Sequence, residues 1–479
     1  QSEAKMMRKR NTNTSTPSAS SSTPNNGNRK RSNSDGKGEK GDGHIMVYVT
    51  IIAICLLGVG LVEFFLVEQN SSSHKRLVYK RNTQQQRLTH VVFSTDCGGF
   101  QHWQSYLLFY SAHKVRQQED GTVTRIASGC TAKERQTVQK WHDEHVSGVF
   151  GPEFMVHFTP HFSSVKDKDG KKKGEYKFYN KPLGIRHWFD SNLGQKHDDL
   201  VRDDDIVALI DPDMILLKKI GGDFSSERDV IFSGRVKEHK SFVDHGVPFG
   251  QHYGLGAQWR RFDLDNIAGP DSPAKKVSQD DAFKFFPVGP PYIATARDLH
   301  SIAVKWCEFV PKVHDEYPYL LAEMYAYCIA AAHLELPHQR ADHLMVSNTG
   351  ANGEGWPFVD AIAEDESISM CEFATSPIGL DSTQYPIPTV LHFCQRYLIS
   401  QIIFWKRAVK EDFFDCDSEP LEELPSGLAE DFAVAMMGEA KYKEEKKKIK
   451  RTAFMLCGIQ SIMNEAQAFY KRNHCTKNT

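Results

Sequence analysis

The chain has 479 residues, 25% of them charged and 40% hydrophobic, with a formal net charge of -2. That is a globular balance, long enough for a large core or for two domains. Nothing in so small an overall charge suggests nucleic-acid binding, which draws on a basic excess.

Residues 1–44 stand apart, rich in Ser, Asn, Gly and Lys/Arg and almost free of apolar side chains. Such a stretch cannot bury enough surface to offset its chain entropy, so it reads as a disordered cytosolic tail. Next comes IMVYVTIIAICLLGVGLVEFFLV, Ile45–Val67, interrupted only by Glu63 near one end. It has about the ~20 apolar residues that a helix needs to span a bilayer. A signal peptide would have a shorter apolar core nearer the start, and a buried soluble helix would show a polar face. The expectation is one transmembrane helix. Lys and Arg are nearly balanced across it, so charge does not orient it. The glycosylation acceptor Asn70-Ser71-Ser72 and nine of the ten cysteines lie beyond the span, which favours an oxidising lumen for the C-terminal part. Residues 68–87, polar and Gln-rich, read as a stem.

From Leu88 the pattern turns globular. THVVFSTDC reads as a buried strand and GFQHWQSYLLFYSAHKVRQ as a helix. TVTRIASGC, FMVHFTP and DDIVALID read as further strands, separated by the helices TAKERQTVQKWHDEH and KPLGIRHWFDSNL. Strands alternating with helices, several of them continuously apolar, predict an α/β layer fold with a mainly parallel sheet covered on both faces. VIFSGRV reads as another strand, and HYGLGAQW and VGPPYIA as Gly/Pro-rich loops with short strands. ARDLHSIAVKWCEFVPKVH and YLLAEMYAYCIAAAHLEL read as helices, residues 348–388 as loops, and TVLHFCQRYLI as a late strand. The expected domain is 88–410, with 411–479 as a C-terminal helical extension.

In IVALIDPDMILL two carboxylates flank a proline inside an aliphatic run. Pro212 has no N–H to donate, so the ladder is expected to stop there. Asp211 and Asp213 then stand roughly 6.6 Å apart along the chain at the carboxyl end of the strand, where open α/β sheets bind ligands. Two hard oxygen donors there suit Mn²⁺ or Mg²⁺, with a diphosphate filling further positions. The bland alternative is a capped strand end. His392 is the candidate third ligand, and Arg396 after it a fork for phosphate; a satisfied core histidine is the alternative. Glu323 lies in a helix apolar on nearly every side, so it needs a partner or a task. Lys181 and Arg186 are candidate phosphate contacts or else solvated helix residues. Cys97 and Cys130, at the ends of the first two strands, form either a disulfide or two buried thiols.

In order along the chain, STDC…WQ, TRIASGC, NKPLGIRHWF, IDPDMI, VGPPYIA, EMYAYCIAAA and VLHFCQRY resemble the hydroxyproline O-arabinosyltransferase family and the related peptidyl serine galactosyltransferases. The resemblance runs from about His90 to Tyr397. It implies a Golgi type II enzyme of GT-A type, with a Rossmann-like mixed sheet flanked by helices behind a single transmembrane helix. It implies a UDP-sugar donor of the arabinose or galactose class and a retaining reaction. The acceptor would be a hydroxyproline or serine hydroxyl of a secreted or cell-wall glycoprotein. Asp211 and Asp213 match the family's metal motif, Asn180-Lys181-Pro182 its Asn-basic-Pro, and Glu323 its Glu-Met-Tyr. His392 matches the His that opens the late segment. FCQRY after His392 and SGRVKEHKSFVDHG after the metal motif depart from the family's pattern.

The expected function is metal-assisted sugar transfer, with Asp211, Asp213 and His392 on the cation. Lys181, Arg186 and Arg396 would meet the nucleotide, and Glu323 the sugar or the acceptor hydroxyl. The rival of a different class is a non-catalytic luminal scaffold that keeps the fold. A phosphohydrolase with an Asp-x-Asp nucleophile fits less well, because Met214-Ile215 follows the pair where a Thr or Val is needed.

Overall fold

The computed structural model describes residues 86–166, 170–193, 200–234, 236–364, 369–375, 385–425 and 427–475. The tail, the apolar run Ile45–Val67 and nearly all of the expected stem lie outside them. Among the described residues no helix is long and apolar enough to cross a membrane.

The first half alternates as expected. Strands β1 (Thr89–Asp96), β2 (Val123–Ser128) and β3 (Phe154–Thr159) are separated by helices α1 (Phe100–Lys114) and α2 (Ala132–His142). A hairpin of β4 (Ser164–Lys166) and β5 (Lys172–Glu175) leads to α3 (Asn180–Asn192) and then β6 (Ile206–Ile210). After β7 (Met214–Leu216) come β8 (Phe249–His252), β9 (Val288–Thr295), α4 (Ala296–Glu316), α5 (Ala322–His333) and β10 (Gln339–Ala341). The main sheet has the order β10-β8-β9-β6-β1-β2-β3. Strands β6, β1, β2 and β3 run parallel, β10 parallels β8, and β9 is antiparallel to both its neighbours.

Alternate residues of the central strands feed two cores. Val91, Phe93, Ala208 and Ile210 join the apolar cluster that contains α1. Val92, Val207 and Leu209 join the cluster formed with α3, α4 and α5. Both faces are therefore covered, which is why these strands read as unbroken apolar runs. The closing helix α8 (Glu439–His474) buries Phe454, Met455, Ile459 and Met463 in the first cluster. The stretch expected as an extension from residue 411 thus shares the main core, and all the described residues fall within one compact unit, Leu77–Thr479.

Three expectations need correction. Among the described residues of VIFSGRV there is no strand; Phe232 makes a single bridge, to Ala341 at the edge of β10. VGPPYIA, expected as a loop with a short strand, is instead most of the long strand β9, buried along its whole length. Its two prolines are tolerated because pairing with β6 begins only at Tyr292, and the register with β8 shifts between Gly250 and Gln251. A missing N–H costs little where no partner waits for it. The region 348–388 contains two helices, α6 (Trp356–Glu364) and α7 (Met370–Thr375). Trp356, Val359 and Ile362 are buried at helical spacing, a signal too short to stand out among the surrounding Gly and Asn.

A second, three-stranded sheet sets the site. It has the order β11-β12-β7, with β11 (Met345–Val346) and β12 (Val390–His392). The hairpin of β13 (Arg396–Ile399) and β14 (Ile402–Trp405) follows. Disulfides link Cys97 to Cys130, Cys371 to Cys457 and Cys416 to Cys475. The first resolves the choice left open by the sequence in favour of a bridge between the ends of β1 and β2.

Candidate active site

Strand β6 ends at Ile210, and Asp211-Pro212-Asp213 forms the turn from the main sheet into β7. The ladder stops at the proline as its chemistry requires. Met214 pairs with His392 across the antiparallel β7 and β12, and the Phe393 N–H donates to the Asp213 carbonyl at 3.0 Å. This register carries a residue nearly 180 positions away in the chain to the carboxyl end of β6. Ligand atoms of Asp211, Asp213 and His392 lie within 4.8 Å of one another.

Each acidic group in the cluster faces a cation. His392 Nε2 is 3.2 Å from Asp213 Oδ1, and the Lys406 ammonium is ion-paired with Asp213 Oδ2. Lys181 Nζ bridges Asp211 Oδ1 at 2.8 Å and Glu323 Oε1 at 2.9 Å. Burial alone would raise the Asp213 carboxyl, but His392 and Lys406 hold it well below the usual carboxylate range. Burial alone would lower His392, but Cys394 and Asp213 lift it well above its ordinary value. Lys181 follows the same logic: burial opposes its charge, and Asp211 and Glu323 raise it nonetheless.

Glu323 opens α5, which buries every residue from Ala322 to Ala332. Its place in the first turn suits a carboxylate, because the helix N-terminus carries partial positive charge. Only 3% of the residue is exposed. Burial, outweighing Lys181, raises its carboxyl. Oε1 has Lys181, but Oε2 is buried without a hydrogen-bond partner, and so is the Tyr292 hydroxyl. The backbone around Glu323 is pinned twice: its N–H donates to the Tyr176 hydroxyl at 3.1 Å, and its carbonyl accepts from Trp306 Nε1 at 2.6 Å.

Lys181 sits in the first turn of α3, and that helix lies close on the sheet because of Gly184. A Cβ at position 184 would stand 3.0 Å from Ile126 Cγ2. Of the expected site residues, Asp211, Asp213, His392, Glu323 and Lys181 come together. Arg186 and Arg396 do not join them. Arg186 is half-exposed one turn further along α3, 3.6 Å from Asp190 of the same helix. Arg396 is exposed and stacks over the Trp405 ring, 4.0 Å from its centroid. Arg186 lies five residues after Lys181 and so falls off the helix face that carries it, and Arg396 belongs to β13, entered after β12 has ended at His392.

Sequence reasoning missed Lys406, Met345 and Tyr176. Lys406 reaches Asp213 only because the β13–β14 hairpin folds back, and nothing local marks it. Met345 Sδ accepts from His392 Nδ1 at 3.1 Å; it looks like an ordinary apolar residue of a short strand. The donor set of two carboxylates and one imidazole at a strand end fits a divalent cation of the Mn²⁺ type.

No family model matches the chain. It is 23% identical over 271 residues to a peptidyl serine alpha-galactosyltransferase of Arabidopsis thaliana. That region is 54% of this chain and 27% of the relative, so the match spans about a quarter of the relative's length. Among solved structures, the apo form of the bifunctional glycosyltransferase WbbM aligns over 66% of this chain and 47% of its own. The TM-score there is 0.32 at 11% identity.

Proposed function

We propose that this chain is a single-pass type II Golgi glycosyltransferase that transfers a sugar of the arabinose or galactose class from a UDP-sugar. The acceptor in this reading is a hydroxyproline or serine hydroxyl of a secreted or cell-wall glycoprotein. The observation that carries it is the Asp211–Asp213–His392 cluster at the carboxyl end of β6, with Glu323 and Lys181 beside it. The sequence similarity to a peptidyl serine alpha-galactosyltransferase supports the reaction class.

In this reading Asp211, Asp213 and His392 hold the cation, which when bound offsets the charge that builds on the departing diphosphate. Lys181 and Lys406 already neutralise the same carboxylates. Released from them, their ammonium groups lie at the right end of the sheet to meet phosphate oxygens. Glu323 is held rigid by Tyr176, Trp306 and Lys181. Its unpartnered Oε2 is the acceptor for a hydroxyl of the sugar or of the acceptor side chain. A retaining reaction needs no base on the far face of the sugar, so Glu323 acts by orientation and charge.

One observation favours the non-catalytic scaffold as second reading: two lysines occupy the carboxylates that would bind the cation. The test is a panel of UDP-sugars offered to the full chain in detergent with and without Mn²⁺, with UDP binding measured separately. Cation-dependent release of UDP supports the enzyme. Failure to bind either UDP or Mn²⁺ supports the scaffold.

A further inference from the structure

Strand β7 has Asp213 just before it and Lys218 shortly after it, so its two ends serve different places. At the Lys218 end lies a cavity of 280 Å³, close to the ~300 Å³ lower limit of small-molecule sites. Three segments are tied together there: the Leu217 N–H donates to the Thr389 carbonyl at 2.9 Å, and the Thr389 N–H to the His343 carbonyl at 3.0 Å. Lys218, Thr389 and His343 all line the cavity. Lys218 is half-buried. Its ammonium reaches the Asp229 carbonyl at 3.5 Å and stands 6.0 Å from the centroid of the Phe358 ring. Among the described residues no carboxylate is ion-paired with it. His343 is 3% exposed, and its Nδ1 accepts from the Ile231 N–H at 3.2 Å. The proton of its neutral ring therefore sits on Nε2. Burial, reinforced by the Lys218 charge, pushes His343 down to about 3 and keeps the ring neutral. The acidic residues of the wall are engaged in their own turns. Asp223 Oδ1 accepts from the Ser225 N–H at 2.9 Å, and Asp229 Oδ2 from the Ser226 hydroxyl at 2.8 Å.

We propose that this cavity binds a singly charged oxyanion on a sugar-sized body, a carboxylate or a sulfate ester, held by the Lys218 ammonium and the His343 Nε2–H. The inference depends neither on the cation cluster nor on sugar transfer. A half-buried ammonium without a counter-charge gains a short, charge-assisted bond when an oxyanion enters. Asp223 and Asp229 add negative charge to the same wall, so a dianion such as a phosphate monoester is held less well. A bare anion would leave much of the cavity unfilled, and Phe224, Val230 and Leu344 give the body an apolar wall.

The test is calorimetric titration of the full chain in detergent with glucuronate and with a sulfate ester of glucose, beside glucose itself and its phosphate ester. At about pH 7 the first two carry one negative charge and the phosphate ester mostly two. Both monoanions should bind, glucose should not, and the phosphate ester should bind more weakly than the sulfate ester. Lys218→Met should weaken both monoanions by about tenfold or more, and Lys218→Arg should restore them. A second neutral variant, Lys218→Gln, keeps the comparison open if the methionine variant folds poorly. Lys406→Met, at the cation cluster, should leave monoanion binding as in the parent. Binding of neither monoanion, or binding that both neutral Lys218 variants leave unchanged, would overturn the inference. Loss in Lys406→Met alone would place the anion at the cation cluster and overturn it too. Glucose binding as tightly as the monoanions, or a phosphate ester binding more tightly than the sulfate ester, would refute recognition of a single negative charge.

Discussion

Replacing Lys181 by methionine tests the electrostatic frame of the site without touching an expected cation ligand. The structure puts the Lys181 ammonium, with 12% of its side chain exposed, between Asp211 and Glu323, and Glu323 has 4% of its side chain exposed. Removing the cation strands a buried carboxylate, for which about 3–5 kcal/mol is the usual cost. Unfolding entropy of roughly 2 cal/mol/K per residue, over a unit of this size, converts that to a Tm loss on the order of 5 °C. The loss must depend on pH. The Glu323 carboxyl is already raised above its ordinary range, and without Lys181 it rises further. A carboxyl raised in the folded state favours folding below its unfolded value, and that benefit is lost as pH climbs through the folded value. Thermal unfolding of Lys181→Met should therefore lie close to the parent at about pH 5 and well below it at about pH 8. Adding Glu323→Gln to Lys181→Met should recover most of the loss at the higher pH. An equal Tm deficit at both pH values, or none at either, would refute the reasoning.

Lys406→Met removes the ammonium that competes for Asp213, so Mn²⁺ binding measured by calorimetry should tighten by about tenfold, ~1.4 kcal/mol. Weaker Mn²⁺ binding would mean that Lys406 supports the ion rather than excludes it. His392 is raised well above its ordinary value, and a cation takes only the neutral ring. Mn²⁺ affinity should then rise from about pH 6 to about pH 8, with protons released in proportion; a flat profile would remove His392 from the ligand set. Gly184→Val places branched carbon against Ile126, starting from a Cβ separation of 3.0 Å. It should cost ~1–3 kcal/mol by overpacking and loosen UDP binding by lifting α3 off the sheet. Gly174→Ala, with nothing within 4 Å, should leave both unchanged.

Elements whose period was long and clean were legible in the sequence: β1, β2, β3, β6, α1, α3, α4 and α5 fall where the apolar pattern puts them. The pattern failed where pairing depends on distant partners. Phe232 has one bridge and no ladder because only the short β10 runs beside it. The prolines of β9 read as loop although the register around them needs no N–H there. Within the site, Asp211, Asp213, Glu323 and His392 were legible because a carboxylate or imidazole in an apolar run demands a reason. Lys181 was expected at a phosphate, and the structure shows it between two carboxylates. Lys406 was invisible because an exposed-looking lysine after a hairpin carries no signal until the chain folds back onto Asp213. Arg186 and Arg396 show the converse, since sequence proximity to a site residue does not put a side chain on the same face.

The most direct test is release of UDP from a panel of UDP-sugars by the full chain, with and without divalent cation, beside Asp213→Asn. The cluster account predicts release with at least one sugar that requires the cation and is lost in the variant. Full activity of Asp213→Asn at saturating cation, or no release from any sugar, would contradict it.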